Sequence, residues 1–313
     1  MINKKNYTFN SNSKLIAFFI ILTFALVVLY TGENLSKNFL STFTCLFLIL
    51  TVGVSHGALD DIKGYKVLKF YKINNKIIFY LSYISLALFV ILIWIIFPTF
   101  ALTLFLIIAA FHFGKEDCWC IPIKKSNFNF IKFFLKGSLI ILAPLWLSFD
   151  ETLFIFNTLG IKNQEFNNFL NFLNLHNLFF FLVLLSILSN LLINIELKYI
   201  TGFIIEIFGI LALYEIFNPL IAFTIYFCFL HSLRHTASLM YEYKIDFIGF
   251  IRKAWHLTFL TAILFTIGVY ILTGFQKVHI DSSIVNVIFI GLASLTFPHI
   301  LLEYLLEKYE KKT

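Results

Sequence analysis

Apolar stretches long enough to cross a lipid bilayer recur from one end of this chain to the other, leaving no interval for a separate water-soluble domain. A helix rising 1.5 Å per residue needs roughly 20 apolar residues to span the hydrocarbon core. Such runs fall at about 14–31, 37–56, 77–97, 99–114, 130–148, 176–194, 199–216, 218–240, 255–274 and 283–305. Of 313 residues only 13% are charged, against roughly 25% in a soluble domain. The expected fold is all-α: a polytopic transmembrane helical bundle of about ten spans. Residues 1–313 then form a single integral membrane domain embedded in the lipid bilayer.

Local chemistry supports the division. Pro98 and Pro219 sit at short connections between apolar runs, where a missing backbone donor does least harm. The stretch from Asp150 to Leu175 is ambiguous: its Phe and Leu residues could form an interfacial amphipathic helix in place of a span. Lysines precede the first apolar run, as in a signal peptide, but no small-residue cleavage site follows, so an uncleaved first helix is expected.

The formal charge of +7 is spread in short clusters between spans, which points to topogenic signals and not to a nucleic-acid surface. With the N-terminus placed in the cytoplasm, twenty lysines and arginines fall on the cytoplasmic side, and Lys37, Lys162 and Lys277 fall opposite. Arg234 lies inside a span, near its cytoplasmic end. The bias predicts that both termini are cytoplasmic, with tails at 1–13 and 306–313, in a multi-pass protein of the cell's inner membrane. Cys45, Cys118, Cys120 and Cys228 suggest no disulfide framework, and Cys118-Trp119-Cys120 alone makes no metal site.

Ionisable side chains inside a membrane domain are costly, so they are the first candidates for function. His56, His112, His231 and His235 come from three expected spans and reach a similar depth on the cytoplasmic half. His231 and His235, four residues apart, share one helix face. Four such imidazoles suit a metal ion, and the absence of thiolate argues against a structural zinc site; Fe(II), Cu, Zn and Ni all remain open on this chemistry. Ligating histidines want acceptors for their second nitrogen, and Asp60, Asp61, Glu116, Asp117 and Glu303 are near enough in sequence to serve. Each also suits the plain role of a hydrated acid at a helix end, and Asp117 fits either role equally. His176, His256 and His279 fall near span ends or in a loop and read as anchors. His299, beside Pro298 and nearer mid-span, suits a supporting, substrate-lining or structural role.

Four short motifs occur in order: Gly53-Val54-Ser55-His56-Gly57-Ala58-Leu59-Asp60-Asp61, Phe111-His112-Phe113-Gly114, His231-Ser232-Leu233-Arg234-His235 and Phe297-Pro298-His299. As an ordered set they resemble the Brp/Blh family of bacterial and archaeal membrane β-carotene 15,15′-dioxygenases. The resemblance covers nearly the whole chain. It implies one non-haem Fe(2+) held by His56, His112, His231 and His235, with no catalytic side chain beyond the metal ligands. It further implies β-carotene and O₂ as substrates, two all-trans-retinal as products, and a functional link to a microbial rhodopsin through retinal supply. A rigid hydrocarbon offers nothing polar to grip, so regiochemistry must come from the shape of a tunnel.

Other readings make distinguishable demands. A di-iron carotenoid hydroxylase or ketolase needs about eight clustered histidines, and only one HxxxH pair is present. A transporter calls for an internal repeat with broken spans in matching positions; none is visible. A retinal-handling helper that forms a Schiff base needs a mid-span lysine, and none is found. No Gly-rich nucleotide motif follows a strand, so no organic cofactor is expected.

Overall fold

The structure is a computed structural model describing residues 4–31, 41–118, 129–192 and 197–310, with the side chains of residues 4–9, His56, 190–192, 197–199 and Glu310 outside the description. It is helical throughout, with no strand among the described residues. The helices are α1 (Lys4–Thr31), α2 (Thr42–Leu48), α3 (Asp60–Phe70), α4 (Lys76–Ile96), α5 (Pro98–Asp117), α6 (Asn129–Leu147) and α7 (Phe149–Thr158). They continue as α8 (Gln164–Leu175), α9 (Leu178–Leu192), α10 (Leu197–Ile216), α11 (Pro219–Tyr226), α12 (Leu233–Tyr243), α13 (Phe247–Gly274) and α14 (Ile280–Glu310).

Seven helical stretches are long and apolar enough to cross a membrane, or eight if the bent pair α8 and α9 is one span. About ten were expected. The difference lies in α10, whose side chains are described only from residue 200 and so over too short a stretch, and in the α11–α12 run, which is helical where expected but carries the polar His231, Arg234 and His235. Such polar groups are tolerated in a membrane helix where they meet protein partners and not lipid. The helix α1 begins at Lys4, so most of the expected N-terminal tail is helical, and α14 likewise runs through the expected C-terminal tail to Glu310. The ambiguous stretch before residue 176 forms the two short helices α7 and α8 and not a single span.

Helix boundaries follow local chemistry. Pro98 and Pro219 open α5 and α11, where proline's lost N–H is an orphan anyway. Asn75, Asn163, Asn218 and Asp246 cap α4, α8, α11 and α13 by accepting backbone N–H bonds. Asn177 adopts φ 52° at the α8–α9 junction, a conformation asparagine tolerates better than most residues, and the two helices bend there by 72°.

Two departures from regular α-helix position the site. A π-type turn spans Ile49–Gly53 and passes into a 3₁₀ turn, Val54–Leu59, that carries His56 and delivers Asp60 to the start of α3. A second π-type turn, Phe227–Ser232, contains His231 and leads into α12. The Ser232 hydroxyl donates to the Gly53 carbonyl at 3.1 Å, tying the two turns together. Single π turns inside helices accompany functional sites because they re-aim the side chains that follow. Elsewhere α5 and α6 approach closely: a Cβ on Gly114 would lie 1.8 Å from the Phe133 carbonyl oxygen, and one on Gly137 1.8 Å from that of Ala110. Only glycine fits at either place. The outer faces of α4 and α13 expose Leu81, Leu88, Phe259 and Ile263, as suits helices facing hydrocarbon and not water.

Candidate metal centre

Four imidazoles from three parts of the chain meet inside this bundle. His112 comes from the last turns of α5, His231 from the second π turn, His235 from α12 and His299 from α14; all four are buried. Ring centres lie 5.4 Å apart for His112 and His231, 5.3 Å for His112 and His299, and 5.7 Å for His235 and His299. With metal–nitrogen bonds of about 2 Å, two imidazoles on one ion keep their ring centres roughly 4.5–6.5 Å apart. The spacing fits. Phe227 stacks on His231 at 5.7 Å and Phe113 meets it edge-on at 4.8 Å, closing that side with apolar rings.

Three of the rings have a carboxylate on Nδ1. Asp117 accepts from His231 at 3.2 Å, Glu116 from His235 at 2.8 Å, and Asp60 from His299 at 2.8 Å. Holding Nδ1 as the donor fixes the tautomer and leaves the lone pair on Nε2, the form a metal requires. Neighbouring residues at the end of α5 thus serve two different rings. The donors are ring nitrogens with the Glu303 carboxylate beside two of them, a set that fits a first-row divalent metal such as Fe(2+).

The carboxylates are themselves held. Asp117 accepts from the Tyr226 hydroxyl at 2.6 Å and from Arg234 Nη1 at 3.1 Å. Arg234, only 1% exposed, reaches Glu206 with its other terminal nitrogen at 2.9 Å. Lys136 lies 3.7 Å from Glu206 and donates to the Asp117 carbonyl at 3.4 Å. Two cations and two anions therefore balance in one buried group behind His231. On the opposite side Tyr83 donates to Asp60 at 3.1 Å, and Lys63 pairs with Glu303. Glu303, His235 and His299 each offer a ligand atom within 4.8 Å of the others.

Of the expected site residues, His112 lies beside His231, and His235 beside His299, whose ring is in turn 5.3 Å from that of His112. The His56 side chain lies outside the described residues. Expected only in a supporting or lining role, His299 has the same ring spacing and the same carboxylate backing as its neighbours. Asp60 and Glu116 hold rings, and so does Asp117, for which the plain role was equally open. Asp61 instead accepts from the backbone of Ile62 at 2.7 Å. His176, His256 and His279 are exposed, as expected of anchors. Sequence reasoning missed Glu206 and took Lys63 and Lys136 for hydrated topogenic lysines. Both lysines are buried in ion pairs. The available signal was Glu206 itself, a lone carboxylate amid Phe203–Leu213 that demands a buried cationic partner.

The profile of a family described as beta-carotene 15,15′-dioxygenase matches residues 47–307. The chain belongs to this family. A beta-carotene 15,15′-dioxygenase from an uncultured marine bacterium, 66A03, is 28% identical over 261 residues, covering 82% of this chain and 90% of the relative. No solved structure matches the chain. The matched range takes in the two linked π turns and every ring and carboxylate described above, so the family's shared region coincides with the site.

Proposed function

We propose that this member of the beta-carotene 15,15′-dioxygenase family cleaves the central 15,15′ double bond of β-carotene with O₂, giving two all-trans-retinal. The observation that carries the reading is the convergence of His112, His231, His235 and His299, three of them backed by carboxylates, inside an apolar bundle. A single Fe(2+) is to be held by His56, His112, His231 and His235, with His299 as a further ring on the same ion. Bound there, the ion would supply the activation of O₂.

This chain's own residues do the rest. Asp117, Glu116 and Asp60 keep three imidazoles in the metal-binding tautomer. Phe113 and Phe227 exclude water from the His231 side. The atoms balance without a further reductant: the carbon–carbon double bond breaks, each half takes one oxygen atom, and the electrons come from the polyene. No proton enters or leaves the sum. A di-iron hydroxylase is disfavoured because only four described rings gather while His176, His256 and His279 stand exposed. The enzyme is placed in the inner membrane with both termini cytoplasmic, since the positive bias survives removal of buried Lys63 and Lys136. Its retinal would supply a microbial rhodopsin.

The test is expression in bacterial cells that accumulate β-carotene. Loss of yellow colour and accumulation of retinal are expected, and His56→Ala, His112→Ala, His231→Ala and His235→Ala should each abolish both. Persistent carotene colour with well-expressed, iron-loaded protein refutes the substrate. Activity retained in two or more of the variants refutes the ligand set.

A further inference from the structure

A cleft of about 180 Å³ lies between α4, α13 and α14 and reaches His299 and Asp60 at its inner end. Its lining passes from exposed to buried. Ile84, Leu260 and Leu264 at the mouth are about half exposed, at 54%, 50% and 58%, whereas Asp60 and His299 are each 3% exposed. The mouth therefore opens on the apolar outer face of α4 and α13, sideways toward lipid. Three of the polar groups along the way are committed to the protein. Thr258 and Thr261 donate back to carbonyls of α13 at 3.0 and 2.9 Å, and Tyr83 is engaged with Asp60 and the Leu295 carbonyl.

A cleft with an apolar wall, an opening on hydrocarbon and an inner end in the ring cluster suits one chemical class. The ligand must be long and apolar, must arrive from the bilayer and must present its reacting bond at depth. We infer that this cleft is the polyene channel, taking one arm of a carotenoid with its end group toward the bilayer and its central double bond toward His299. The inference rests on the cleavage reading above and adds the path and the ruler. The distance from the mouth to the rings selects which double bond meets them. Tyr83 acts here as a positioning residue, bracing Asp60 and through it His299, while Thr261 and Leu264 set the bore.

The test introduces bulk into the channel, away from the rings, with Thr261→Trp within it and Leu264→Trp at its exposed mouth, where folding is least disturbed. Phe259→Trp, on α13 but outside the cleft, is the control. Two readouts are used: steady-state cleavage of β-carotene in detergent, and the visible absorption of carotenoid retained by protein carrying His231→Ala. Thr261→Trp should raise KM for β-carotene roughly tenfold or more and strip bound carotenoid from the His231→Ala protein, with iron content of the otherwise native chain unchanged. Leu264→Trp should shift both the same way, and Phe259→Trp neither. Unchanged KM and unchanged carotenoid binding in both cleft variants, with wild-type cleavage intact, overturn the channel. Wild-type protein that cleaves no carotenoid overturns the cleavage reading instead. If it binds carotenoid without cleaving it, and the Trp substitutions abolish that binding, the channel stands alone.

Discussion

Asp117→Asn separates the two tasks of one carboxylate. The substitution keeps size and shape. The Asn oxygen can still accept from His231 and Arg234 as Oδ1 does at 3.2 and 3.1 Å, and its amide can donate to Tyr226 in place of the 2.6 Å bond that Oδ2 accepts. What changes is charge. Arg234 and Lys136 are balanced by Asp117 and Glu206 in the wild type; in the variant two cations face one anion, with Arg234 only 1% exposed. Breaking a buried pair by removing one partner costs about 3–5 kcal/mol. Replacing the acceptor behind a ligating histidine lowers metal affinity about 10–100-fold. The variant should therefore lose both heat stability, followed by thermal unfolding in detergent, and iron, followed by metal content after dialysis against a chelator series. Glu116→Gln is the comparison: Glu116 holds His235 the same way at 2.8 Å but shares no contact with the guanidinium. It should match Asp117→Asn in iron lost and show a distinctly smaller drop in stability. Equal stability losses in the two variants refute the claim that the buried charge group is the separate cost.

Three further outcomes follow from the same geometry. His299→Ala should lower retained iron as much as His235→Ala does, measured by metal analysis of purified protein; full iron content would return His299 to a packing role. Gly114→Ala forces a Cβ against the Phe133 carbonyl at 1.8 Å and must push α5 from α6, costing about 1–3 kcal/mol; thermal unfolding checks it, and a rise in stability from helix propensity alone would contradict the packing. Arg234→Lys keeps the charge but cannot span Asp117 and Glu206 with a planar fork. It should fall between wild type and Asp117→Asn in unfolding temperature.

The helices and the burial of His112, His231 and His235 were legible because both rest on patterns that sequence displays directly: apolar run length, and polar residues where lipid forbids them. His299 was harder. Its neighbours in α14 are apolar, and nothing near it in sequence shows that Asp60, from the far end of the chain, sits 2.8 Å from its ring. Lys63 and Lys136 were misread for a related reason. A lysine about two helix turns from a span end looks the same whether it reaches water or a buried glutamate, and only the partner's position decides. Asp117 illustrates the limit from the other side. Adjacent to Glu116 in sequence, it points to a different ring, because successive residues on a helix diverge by about 100°, and which ring each meets depends on how α5 faces α12.

The charges around the rings show why so many ionised groups are tolerated in a bundle this apolar. An isolated buried charge is expelled or neutralised, yet every carboxylate described behind a ring also contacts a cation or a phenol, or lies at the edge of the bundle. Asp117 has Arg234 and Tyr226, Asp60 has Tyr83, and the Glu116 side chain is 14% exposed. Asp117 and Asp60 are thus stabilised from behind, independently of anything the rings bind. It follows that the ring orientations are set before a metal arrives, and that metal-free protein should keep its fold. The ion pairs behind His231 are then a property of the scaffold, in place whatever the rings hold.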